Sequence, residues 1–281
     1  MKVSSALAVG LDIGGSTTRA VAYAPDGAAV AAASDPTPRG VAAVADLAAA
    51  LVAHLVGHTP PTLVALGVPG AVDHLAGTVA GALNLGIAAR QPIAALVAAR
   101  VGAPVHVEND VNAAALGAYA ALGLGPASSL VYLNVGTGLA AGAVFDGQLW
   151  RGARGIAGEI GHVPRDPAGP VCACGQRGCA ETLGSGRALG VGADEAAIAR
   201  TAAWGLQLVA LTWDPEVLVL GGGMTRRAGF IGAVHRAVRD GASTSPLLAA
   251  TSIEDRLRPV PDDVGVGSLG ALIAAGWRRP G

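Results

Sequence analysis

Lysine is all but missing from this chain: Lys2 is the only one. A Walker-type phosphate loop needs a lysine directly after its glycines, so that route to a nucleotide is closed. Positive charge rests on 18 arginines spread along the sequence, and the net charge is −1. With no polybasic patch, neither nucleic acid nor a membrane surface is an expected partner. Long apolar runs are missing too. Residues 111–145 carry no charge, but Gly123, Gly125, Pro126, Ser128 and Ser129 break the run. Nothing supplies the roughly 20 unbroken apolar residues of a spanning helix. The apolar start after Lys2 is short for a secretion signal and passes straight into Asp12-Ile-Gly-Gly.

Cysteine is scarce and clustered. Cys172, Cys174 and Cys179 are the only three, and they fall within eight positions. An odd, tightly spaced set argues for metal binding over disulfides, hence for a reducing compartment. A cytoplasmic protein is expected. The surrounding segment reads Gly158-Glu-Ile-Gly-His162, then nine residues, then Cys172-Ala-Cys174, four residues and Cys179, with Glu181 two places on. One histidine and three cysteines make a full tetrahedral set for structural zinc. The His-x-Glu and Cys-x-x-Cys order of a zinc deaminase is absent. Two of the chain's six glutamates, Glu159 and Glu181, lie in this segment, which suggests a metal-stiffened loop that carries polar groups for another purpose.

At 281 residues the chain can form one large domain or two modest ones. An internal resemblance favours two. Residues 7–27 read LAVGLDIGGSTTRAVAYAPDG and residues 130–147 read LVYLNVGTGLAAGAVFDG. Each is an apolar strand ending at Asp12 or Asn134, a glycine turn, a second apolar strand and Asp-Gly. Alternating patterns follow: strands at 62–68 and 104–108 with helices at 41–57 and 111–122, then helices at 193–212 and 227–240 around a strand at Val217–Leu220. Duplicated hairpin-led α/β units predict two similar domains with a cleft between them. The expected boundaries are 1–112 and 113–263, with a final helical pattern near 264–277 packing on either half, most simply with residues 264–281 joined to the first domain.

Gly14-Gly15-Ser16-Thr17, Gly136-Thr137-Gly138 and Gly221-Gly222-Gly223 are glycine turns at strand ends, where backbone N–H groups can approach phosphate oxygens because no Cβ intervenes. Each alone also reads as an ordinary turn. The first two occupy equivalent places in the repeat, and each carries a threonine hydroxyl. Gly136 to Ala141 formally fits a dinucleotide fingerprint, but that motif must open a helix, and the residues that follow look like a returning strand.

After the apolar Val105-His106-Val107 come Glu108-Asn109-Asp110 and an alanine-rich helix. Helix capping explains one of the three polar residues. Polar groups at a strand's carboxyl end project into the cleft of an α/β fold, where a carboxylate can take the proton from a hydroxyl nucleophile.

In this order, Asp12-Ile-Gly-Gly-Ser, Val68-Pro-Gly70, Glu108-Asn-Asp-Val-Asn-Ala-Ala, Gly136-Thr-Gly, the Gly158-to-Cys179 segment and Leu218-Val-Leu-Gly-Gly-Gly223 resemble the ROK family of sugar kinases and sugar-responsive repressors, over about residues 8–275. The resemblance implies two duplicated actin-like, ribonuclease H-like α/β domains. It implies Asp110 as catalytic base and Asn109 holding the sugar beside it. Glu159, His162 and Glu181 would bind ring hydroxyls, with Gly70 and Asn84 on a further edge. A helix-start acid is the alternative for Glu181, and a turn residue for Asn84. His162, Cys172, Cys174 and Cys179 would ligate a structural Zn²⁺. Gly14, Gly15, Thr17, Gly136, Thr137 and Gly138 would wrap the phosphates of ATP, Gly222 and Gly223 would lie along the adenosine, and Asp12 would partner its Mg²⁺. A hexose or amino sugar, ATP and a homodimer are the implied partners.

The sequence departs from the family in places. The connection from Ser185-Gly186 to Asp214-Pro215 is shorter by a helix or more, which bears on the outer wall of the nucleotide site. Ser16 replaces a commoner threonine, and Leu139-Ala-Ala follows the second turn where glycines are usual. A glucokinase is the leading expectation. An N-acetylhexosamine kinase or fructokinase of the same family is the alternative, with polyphosphate as another possible donor. From a different class comes a sugar-sensing or non-catalytic member. Too little chain precedes Asp12 in this sequence for the helix-turn-helix domain of a repressor.

Overall fold

A computed structural model describes residues 7–57, 59–260 and 265–278. Lys2, residue 264, the proposed 263/264 boundary and residues 279–281 lie outside this set. The chain divides into two compact units. One takes the described residues up to Leu124, Ala153–Gly155 and the described residues from 265 onward; the other takes Gly125–Gly152 and Ile156–Val260.

The first unit opens with β1 (Ala8–Ile13), β2 (Thr17–Tyr23), β3 (Ala29–Pro36) and helix α1 (Val41–Val56). Then come β4 (Leu63–Val68), the short strands β5 (Ala71–Asp73) and β6 (Thr78–Ala80), α2 (Ile93–Val101), β7 (Val105–Asn109) and α3 (Asp110–Ala121). The main sheet has the order β3-β2-β1-β4-β7. β1 is antiparallel to β2 and parallel to β4, and β4 is parallel to β7. Both faces of β1 and β4 are covered, which is why they read as continuous apolar runs. Val9, Leu11, Ile13, Val64, Leu66 and Val68 pack with α1 and α2, whereas Ala8 and Ala65 pack with Ala113 of α3 and Leu269 and Leu272 of the C-terminal helix, Val266–Ala274.

The second unit contains β8 (Ser129–Val135), β9 (Leu139–Phe145), β10 (Gln148–Leu149), α4 (Ala180–Gly184), α5 (Gly186–Leu189), α6 (Glu195–Trp213), β11 (Val217–Gly221), α7 (Phe230–Thr244), α8 (Pro246–Ala250) and α9 (Ile253–Arg256). Its sheet runs β10-β9-β8-β11, repeating the first four positions of the other sheet with the same parallel and antiparallel pairings. Leu133, Val135, Leu139 and Ala141 bury against Ile198, Ala202 and Leu206 of α6 and Val234 and Val238 of α7.

Residue 112, the boundary expected from the sequence, lies inside α3, and the two compact units part after Leu124. α3 and the C-terminal helix cross in backbone contact, with Val266 O and Ala113 O lying under 2 Å from where Cβ atoms on Gly117 and Gly270 would stand. A helix held that closely belongs to the unit it packs on. No described helix is long and apolar enough to cross a membrane.

Candidate active site and metal centre

In the first unit, three neighbouring parallel strands end in candidate residues. Register pairs Asp12 of β1 with Gly67 of β4, and Gly67 and Val68 with Glu108 and Asn109 of β7. Asp12, Gly70 and the Asn109-Asp110 pair therefore collect at one edge of the sheet, the carboxyl edge where α/β folds place ligands. The polar trio does not point one way, as the sequence had suggested. Glu108 is buried, and its Oε1 accepts from Asn109 N at 2.9 Å and Asn112 Nδ2 at 3.4 Å. Alternation along the strand turns it inward, where it braces the start of α3.

Asn109 is the N-cap of α3, its Oδ1 accepting from Val111 N (3.0 Å) and Asn112 N (3.1 Å). Its Nδ2 donates to Gly70 O at 3.2 Å. The cap reading and the site reading thus fall on one residue, which leaves a second amide hydrogen for a ligand. Asp110 is half-buried in the first turn of α3, where its Oδ1 accepts from Val111 N at 3.0 Å and the helix's positive end favours a carboxylate.

The Gly14–Thr17 turn links Ile13 to Thr18 and is closed by Gly14 N donating to Thr17 O, 3.0 Å. Asn84 sits in a 3₁₀ turn, Leu83–Leu85. Its Nδ2 lies over Gly15, 2.7 Å from where a Cβ would stand. The Asp12 carboxylate rests against Gly267, in the first turn of the C-terminal helix. The sequence carried no signal for that neighbour.

In the second unit, Gly136–Gly138 is the three-residue turn from Val135 to Leu139. Because β8 and β11 are parallel with Asn134 opposite Gly221, Gly222 lands against Asn134 and Val135. Gly223 opens the 3₁₀ turn that follows. Gly186 N donates to Gly136 O at 2.7 Å. The Gly158–His162 stretch lies along β9, with Ala141 N donating to Gly158 O. Gly158 has φ +90, and a Cβ there would stand 1.8 Å from Ala141 O; one on Gly161 would stand 2.1 Å from Leu139 O. The glycine spacing of the motif is thus a packing requirement that sets the Glu159–His162 stretch against the start of β9, next to the Gly136–Gly138 turn. Glu181, in the first turn of α4, accepts from Leu139 N at 3.2 Å, so it is a helix-start acid and a neighbour of that turn at once.

The four expected metal ligands converge. The ligand atoms of His162, Cys172, Cys174 and Cys179 all lie within 4.8 Å of one another. Cys172 Sγ is 3.6 Å from His162 Nδ1, and Cys174 Sγ is 3.6 Å from Cys179 Sγ. A tetrahedral zinc with thiolate and imidazole ligands has edges of about 3.5–3.8 Å, so the donor set fits the ion. Without a cation the thiols resist ionising together: burial first, then Cys174 and Cys172, push Cys179 up to about 12, while a backbone hydrogen bond with Gln176 brings Cys174 down to about 6. Gln176 Nε2 also donates to His162 O at 3.2 Å and Cys174 Sγ at 3.5 Å, the outer support such sites use. His162 Nδ1 faces the thiols, and its Nε2 is 3.9 Å from Glu159 Oε2.

The profile of the ROK family matches residues 8–197. The chain belongs to the ROK family. Among its relatives, a glucokinase of Streptomyces coelicolor is 39% identical over 184 residues, 65% of this chain and 57% of that protein. A putative xylose repressor of Caldicellulosiruptor is 43% identical over 135 residues, 46% of this chain and 34% of that protein. The chain thus matches little more than half the length of the glucokinase and about a third of that of the repressor. A ROK family glucokinase from Streptomyces griseus, solved with glucose and AMPPNP, superposes with a TM-score of 0.81 at 27% identity, covering 95% of this chain and 98% of that one. The two α/β units are those of the actin-like ROK fold. The ROK profile stops at residue 197, in the first turn of α6, inside the connection that the sequence marked as short.

Proposed function

We propose that this chain is an ATP-dependent hexose kinase of the glucokinase type. One observation carries the reading. The Asp12 carboxylate, Gly70 and the capped Asn109-Asp110 pair share the carboxyl edge of three adjacent parallel strands, with the Gly14–Thr17 turn following the first. In the proposed step Asp110 takes the proton of a sugar hydroxyl while its oxygen bonds to the γ-phosphorus of ATP and the bond to ADP breaks. Asp12 would partner the Mg²⁺ that accompanies ATP and offsets the phosphate charge. Gly14, Gly15, Thr17, Gly136, Thr137 and Gly138 serve the phosphates, and Gly222 and Gly223 the adenosine. Asn109, Gly70, Asn84, Glu159, His162 and Glu181 serve the sugar hydroxyls.

His162, Cys172, Cys174 and Cys179 would hold zinc as a closed four-ligand set with no position left for chemistry, and the ion would stiffen the segment that carries Glu159, His162 and Glu181. The relatives named for glucokinase support glucose as the sugar. An N-acetylhexosamine or fructose is the other arm of the same test, polyphosphate as donor is read by sugar-phosphate formation without ATP, and a cytoplasmic homodimer belongs to the same proposal. A coupled ADP-release screen over glucose, fructose, allose, N-acetylglucosamine and N-acetylmannosamine decides it. Sugar-dependent ADP release supports the kinase. The xylose-repressor relative favours one second reading, a sugar sensor, which predicts calorimetric sugar binding with no ADP release.

A further inference from the structure

Between the end of β3 and the start of α1, a four-residue segment touches, through Thr37, Arg39 and Gly40, two loops that the proposed reaction assigns to different substrates. On the phosphate side, Thr37 N donates to Ser16 O at 3.0 Å, and Thr37 Oγ1 is 2.9 Å from Oγ1 of the buried Thr18. On the sugar side, Arg39 Nη1 donates to Asn84 O at 3.1 Å, Arg39 Nη2 to Leu83 O at 3.3 Å, and Gly40 N to Leu85 O at 2.7 Å. Three consecutive carbonyls of the Asn84 turn are thus taken up by two consecutive residues. Pro38 sits between the two ends of the strap, fixing its own φ and holding Thr37 extended. The circle closes through Asn84, whose Nδ2 lies over Gly15.

We propose that Thr37–Gly40 is a positioning strap that couples the Gly14–Thr17 turn to the Asn84 turn, with Arg39 as the positioning residue that sets Asn84. The inference rests on the kinase reading for its choice of substrates, not for its geometry. A guanidinium suits this place because its planar fork meets two carbonyls at once, which an ammonium does not. Ordering either turn by its ligand restrains the strap and lowers the cost of ordering the other. Binding of sugar and nucleotide is therefore synergistic, and by linkage the synergy is equal in both directions.

The test compares wild type, Arg39→Ala and Arg39→Lys. AMPPNP affinity is measured by calorimetry with and without the best sugar of the screen. Steady-state kinetics and backbone amide spectra are recorded alongside. Arg39 is exposed and its loss removes two charge-assisted hydrogen bonds, so Arg39→Ala should raise the sugar KM about five- to tenfold with kcat nearly kept. Sugar should no longer tighten AMPPNP. Arg39→Lys should recover part of both effects, and the Gly15 and Ser16 amide resonances should shift in Arg39→Ala without ligand. Turnover with unchanged KM and unchanged coupling in Arg39→Ala overturns the strap and leaves the kinase reading intact. No turnover on any sugar, with the Gly15 and Ser16 shifts present, overturns the kinase reading and keeps the strap. Unshifted Gly15 and Ser16 amides overturn the strap in either case.

Discussion

Stripping the metal from the His162–Cys179 segment should cripple sugar binding before it unfolds anything. The segment has little else to hold it: of its residues and close neighbours only Ile160 and Ala180 join the apolar core of the second unit. A zinc held by the four ligands would close a loop whose ends are His162 and Cys179. Chain-entropy arithmetic for a cross-linked loop of 18 residues gives about 3 kcal/mol, or about a hundredfold in an equilibrium at 1.4 kcal/mol per decade. Backbone bonds survive in the loop, from Arg165 N and Asp166 N to Gly178 O, from Gly178 N to Pro170 O and from Ala180 N to Val163 O, so the full figure is an upper bound. Chelation, or Cys179→Ser, should weaken sugar binding by roughly ten- to a hundredfold, read by calorimetry. Hydrogen exchange should show residues 163–179 losing protection while β8, β9 and α6 keep theirs. Unchanged sugar affinity in metal-free protein, or a loss of protection spread evenly over the unit, would refute the reasoning.

Two further substitutions probe the scaffold. Gly158→Val puts a branched side chain at φ +90 with its Cβ 1.8 Å from Ala141 O; the clash and the strained backbone should cost about 3 kcal/mol or more, seen as a lower urea midpoint with an unchanged m-value. Asn109→Ala removes the α3 cap and the hydrogen bond to Gly70 O; stability should fall by about 1 kcal/mol, and the sugar KM should rise through the freed Gly70 turn.

The parts of this protein legible in its sequence are those written locally. The two hairpins, the polar strand end and the cysteine spacing each occupy one short stretch of chain, and each corresponds to a compact local structure: β1/β2 and β8/β9, the capped start of α3, and a four-ligand cluster. What escaped notice depends on distant partners. Arg39 meets Leu83 and Asn84 from the far side of α1, β4 and the β5/β6 hairpin in chain order, and no periodicity encodes that. Glu108 read as a third cleft-facing group because composition cannot tell which side of a strand a residue takes; its bonds to Asn109 N and Asn112 settle it inward. The packing of α3 escapes a local reading for the same reason: its partner, the C-terminal helix, follows only after the whole second unit.

The account stands most directly on Asp110. Coupled ADP release should be sugar-dependent in the wild type, and in Asp110→Asn kcat should fall by about 10²–10⁴ while calorimetric sugar affinity stays within a few-fold. Full turnover in Asp110→Asn, or a wild type that binds sugar and ATP without releasing ADP, would contradict it.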